Sequence, residues 1–135
     1  MPRNKVHCRA AVVLETMWGN PGWAPGWFHI NQQNYTGRRL HWLLGHEDFW
    51  VTNACPQQVA NATQHGRPDP AWLAHNLQRR AYDLLLVCGR VAQATYAHCG
   101  YVPPCRVVYI AHPAARTWTR AQLDECQQLI QRGVH

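Results

Sequence analysis

Acid is scarce in this chain. Only seven of its 135 residues are Asp or Glu, against thirteen that are Lys or Arg. None of the seven stands at a strand end with a second carboxylate, so two-carboxylate glycoside hydrolysis is poorly supplied. Lysine is scarcer still. Lys5 is the only one and precedes the first strand, which argues against Schiff-base chemistry at a site further along. The six cysteines form no Cys-x-x-Cys pair, so the usual zinc and redox spacings are missing. His98, Cys99 and Cys105 come nearest to a ligand set, while His46-Glu47 lacks the second histidine of a zinc-protease helix. No metal or other cofactor is expected. There is no Gly-x-Ser-x-Gly elbow and no phosphate-cradling Gly-x-x-x-x-Gly-Lys loop. No apolar run approaches the length of a membrane span, and there is no internal repeat or low-complexity tract. The opening MPRNKVHCRAAVV sets basic residues before a short apolar run, but it lacks a small-residue cleavage site and Glu15 closes it. A cytoplasmic, monomeric protein without membrane contact is the expectation.

What remains is an apolar, arginine-rich chain. Apolar residues make up 47%, enough for one domain over residues 1–135 with a core of its own. Twelve of the thirteen basic residues are arginine and the net charge is +6. Arginine suits planar, bidentate phosphate recognition, although a GC-rich coding sequence also favours it. An anionic partner, nucleic acid first, fits that balance.

Strands and helices alternate along the chain. Arg9 to Met17 reads as a buried strand, followed by a long loop from Trp18 to Gly37 broken by Pro21, Gly22, Pro25 and Gly26. Arg38 to Gly45 reads as a short helix and Phe49 to Asn53 as a second strand. A polar loop leads to Asp69-Pro70, which caps a helix running to about Tyr82. Asp83 to Cys88 is a third strand, Arg90 to His98 a helix, Arg106 to Ala111 a fourth strand, and Thr119 to Arg132 a closing helix. This alternation predicts an α/β fold, a three-layer α/β/α sandwich around a four-stranded parallel sheet. In such sheets ligands gather at the carboxyl ends of the strands. Asn20-Pro21-Gly22, Asn53-Ala54-Cys55-Pro56 and His112-Pro113 all fall there. An asparagine amide offers one donor and one acceptor to a base edge, or a carbonyl to hold a water. A histidine can donate to charge developing on a departing group. Each residue also has a plainer reading: Asn20 as a turn former, Asn53 as a strand-end cap, His112 as a surface histidine.

The order of these motifs resembles the uracil-DNA glycosylase superfamily, nearest its single-strand-selective monofunctional and mismatch-specific uracil/thymine branches. Trp18-Gly19-Asn20-Pro21-Gly22 is similar to the Gly-x-Asn-Pro-Gly motif, with Trp18 in place of the first glycine. Asn53-Ala54-Cys55-Pro56 is similar to Asn-x-Cys-Pro, and His112-Pro113-Ala114 to His-Pro-Ser, with Ala114 for serine. Leu84 to Tyr96 looks like the superfamily's strand-Gly-helix segment. The resemblance implies a monofunctional glycosylase that excises uracil or a 5-substituted pyrimidine flipped out of DNA. Asn20 would position the attacking water, Asn53 would read the base, and His112 would stabilise the leaving base. Gly22 stands where a tyrosine excludes 5-substituents in the uracil-specific branch, which implies a roomier pocket. Phe28 or Tyr35, with Tyr35 preferred, would stack on the base. Arg116 or Trp118 would fill the gap in the duplex. Arg116, Arg120, Arg38 and Arg39 would grip phosphates, or stand as solvated surface charges. The alternatives are a non-catalytic DNA-binding module of the same fold and a base-modifying enzyme using the same pocket.

Overall fold

A computed structural model describes residues 6–15, 17–18, 35–45, 49–56, 58–59, 66–113 and 118–132. The elements run β1 (Val6–Leu14), β2 (Met17–Trp18), α1 (Tyr35–Leu44), β3 (Phe49–Asn53) and β4 (Gln58–Val59). They continue with α2 (Pro70–Leu77), β5 (Arg80–Cys88), α3 (Arg90–Ala97), β6 (Arg106–Ile110) and α4 (Arg120–Arg132). Four strands form one sheet in the order β3-β1-β5-β6, every neighbour parallel. The central strands are apolar on both faces because both faces are covered. Val12, Val13 and Leu84 to Val87 are wholly buried. On one side Leu40, Leu43 and Leu44 of α1 and Ile130 of α4 pack on Val12, Leu14 and Leu86. On the other, Leu73 and Leu77 of α2 and Ala92 and Tyr96 of α3 pack on Val13, Leu85 and Val87. The architecture is the three-layer α/β/α sandwich expected.

The caps explain where two helices begin. The Asp69 carboxylate accepts the Trp72 N–H at 3.1 Å, and Pro70 supplies the first helical residue, where no N–H is needed. Thr119 and Gln122 form a reciprocal capping box ahead of α4. The Thr119 N–H donates to the Gln122 side chain at 2.9 Å, and the Gln122 N–H to the Thr119 hydroxyl at 3.1 Å.

Several boundaries differ from those expected. The first strand begins earlier, at Val6, and ends at Leu14; Met17–Trp18 instead pairs with Gln58–Val59 in a separate two-stranded sheet. Because β1 reaches back to Val6, residues 80–82 find a partner, and the chain leaves α2 at Leu77 rather than near Tyr82. The Tyr82 hydroxyl then donates to the Leu77 carbonyl at 2.8 Å, satisfying one of the acceptors left at the helix end. Helix α1 starts at Tyr35, so Tyr35 and Gly37 lie in a helix, not in the preceding loop. Among the described residues no helix is long and apolar enough to cross a membrane.

Candidate functional site

From β1 the chain moves to β3 on one side of it, then crosses back to β5 and β6 on the other. The carboxyl ends of β1 and β5 therefore flank the point where the connections diverge, the place where open α/β sheets form a crevice. Pairing between β1 and β3 continues past their ends. The Ala54 N–H donates to Leu14 O at 2.8 Å and the Cys55 N–H to Glu15 O at 3.0 Å, while Asp69 N–H ties the turn down through Ala54 O at 3.0 Å.

Asn53 ends β3 at this edge. It is fully buried, and neither Oδ1 nor Nδ2 has a hydrogen-bond partner among the described residues. A buried amide left unpaired costs on the order of 1–3 kcal/mol per group. Native chains carry few such groups, and a catalytic role is one of the reasons for them.

His112 lies two residues beyond β6, across the end of β5. Gly89, φ +89° and ψ 166°, holds a conformation that essentially only glycine adopts. A Cβ placed on it would sit 3.4 Å from His112 Cβ, an ordinary contact, so His112 packs directly beside the β5 end and it is the backbone conformation that calls for glycine. The Gly89 N–H and the Gln93 side-chain amide both donate to Ile110 O, at 2.9 and 3.0 Å, which fixes the last residue of β6. Burial pushes the His112 imidazole below its usual 6.5, and the Glu15 carboxylate pulls weakly the other way. At pH 7 that lowering favours the uncharged imidazole.

Asn53 and His112, two of the residues singled out from the sequence, thus stand at the same edge of the sheet. Two more join them from elsewhere in the chain. The Trp118 indole N–H donates to His112 O at 2.9 Å, and the Arg39 guanidinium to Pro113 O at 3.1 Å. Arg120 pairs with Asp124 at 3.3 Å and lies 5.5 Å over the Trp42 ring. Tyr35 and Arg38 fall in the first turn of α1. Asn20, Gly22, Phe28 and Arg116 lie outside the described residues. Three residues at the edge were not picked out as parts of a site: Glu15, Gly89 and Gln93. Glu15 is expected inside the first strand, paired or solvent-facing; it stands one residue past β1, where its charge reaches His112. As the one carboxylate near the end of the first apolar run, it was the available signal.

Elsewhere, His98 bonds Ala94 O, and the Cys99 and Cys105 thiols donate to Tyr101 O and Arg106 O. Among the described residues no three His, Cys, Asp or Glu side chains are grouped to hold a metal. No protein-family model matches the chain, and no curated protein matches it.

Proposed function

We propose that the protein is a monofunctional DNA glycosylase that hydrolyses the N-glycosidic bond of uracil or a 5-substituted pyrimidine flipped out of DNA. The observation that carries this reading is the wholly buried amide of Asn53, unpartnered among the described residues, at the same sheet edge as His112, whose imidazole burial holds below its usual value. A buried amide with an open donor and acceptor matches the alternating edge of a pyrimidine. In the reaction the C1′–N bond breaks with its electron pair going to the base. The His112 N–H hydrogen-bonds the oxygen on which negative charge grows, an effect that a low-dielectric site strengthens. Water adds to C1′, held by Asn20 in the role the resemblance implies, and releases its proton to give the free sugar hydroxyl. The net charge of +6 favours a polyanionic substrate. No cofactor takes part.

The test is alkaline cleavage of end-labelled oligonucleotides carrying uracil, thymine mispairs, 5-hydroxymethyluracil or 5-hydroxymethylcytosine, single- and double-stranded. Cleavage of one of them, absent with Asn20→Ala, is the expected result. No cleavage together with tight, salt-sensitive binding would replace the glycosylase with a DNA-binding module.

A further inference from the structure

We infer that Arg39 and Trp118 are positioning residues, a clamp on the backbone of His112 and Pro113 that holds His112 in place across the end of β5. β6 is an edge strand, and its pairing with β5 ends at Ile110 opposite Cys88. The chain therefore leaves the ladder two residues before His112. On the inner side His112 rests against Gly89. On the outer side two consecutive carbonyls are taken by long-range donors, His112 O by the Trp118 indole and Pro113 O by Arg39 of α1, 74 residues away in sequence. The Arg39 guanidinium carbon also lies 6.0 Å from the Trp118 ring centre, so the two donors support each other. These contacts run inward, to the backbone that carries His112. They distinguish the pair from residues whose sole task is to meet phosphate or to fill a gap in a duplex.

This inference rests on the glycosylase reading for its kinetic arm alone; the titration arm stands without it. Trp118→Phe keeps an aromatic ring and deletes the N–H donor, and Arg39→Gln deletes the guanidinium. In NMR titrations of the His112 ring protons, Trp118→Phe is expected to raise the midpoint toward 6.5 as the turn opens to water, and Arg39→Gln to move it the same way. The double variant should shift it by less than the sum, because both hold one turn. On a cleavable oligonucleotide, single-turnover excision should fall about tenfold while binding of undamaged DNA stays within twofold. An unchanged His112 midpoint in both variants would overturn the clamp. Binding that weakens as much as the rate would overturn it too, by making the pair direct DNA contacts. Should Trp118→Phe fail to fold, Arg39→Gln carries the same titration from α1. A wild-type protein that cleaves nothing removes the glycosylase, and the titration still decides the clamp.

Discussion

Two buried asparagines, 23 positions apart, meet opposite fates. Asn76 on α2 is 8% exposed, and its side-chain amide donates to Trp72 O at 2.9 Å, one helical turn back. Asn53 at the end of β3 is wholly buried, and neither of its amide atoms is partnered among the described residues. A helix brings a carbonyl within reach of almost any polar side chain four residues on, so an amide there is satisfied locally. A strand end has no such neighbour, because its carbonyls already serve the ladder. Under the proposed function, the difference separates an asparagine that serves the fold from one that serves a ligand.

The largest effect that tests this contrast is on turnover. Asn53→Leu keeps the volume and removes the reading edge. Single-turnover excision of whichever base proves cleavable should fall at least about 100-fold, roughly 2.7 kcal/mol of barrier, and an undiminished rate would return Asn53 to the structural class. Next is Gly89→Ala, which forces a side chain into a glycine-only conformation against His112. Urea unfolding should show a loss of about 2 kcal/mol, and a neutral result would mean the turn relaxes without strain. The contrast itself predicts opposite signs in stability. Asn76→Leu should cost about 1 kcal/mol, whereas Asn53→Leu should leave stability equal or higher, since an unpaired buried amide is removed. Losses of similar size in both would break the comparison.

The smallest effect is a pH dependence. His112 titrates below its unfolded value of 6.5 because burial disfavours the cation. Below pH 6.5 the unfolded chain therefore binds the extra proton more readily. The stabilising contribution is fully present above pH 6.5 and is lost as pH falls toward the folded value. Melting temperatures of wild type and His112→Gln should accordingly converge between pH 7.5 and 5.5, with the wild type falling faster. Parallel curves would show that His112 stays hydrated.

Local pattern carried much of the fold. The apolar runs of β1, β3, β5 and β6 mark strands covered on both faces, and Asp69-Pro70 marks the start of α2 through chemistry confined to four residues. Where expectation and structure part, the cause is a distant partner. Residues 80–82 carry no strand signal of their own that overrides a helical reading; they become strand because Val6 to Cys8 lie beside them. Met17–Trp18 leaves the main sheet because Gln58–Val59 offers it another pairing.

The sequence by itself determined that strands alternate with helices, that Asn53 and His112 follow strands, and that an excess of arginine favours an anionic partner. These rest on periodicity, capping and composition, which act over a few residues. Only the tertiary structure decided that the strands lie in the order β3-β1-β5-β6, that Gly89 lies against His112, that Asn53 is sealed from water without a partner among the described residues, and that Arg39 reaches Pro113. Those outcomes depend on surfaces brought together from residues tens of positions apart. Their energies appear only once the sheet has formed.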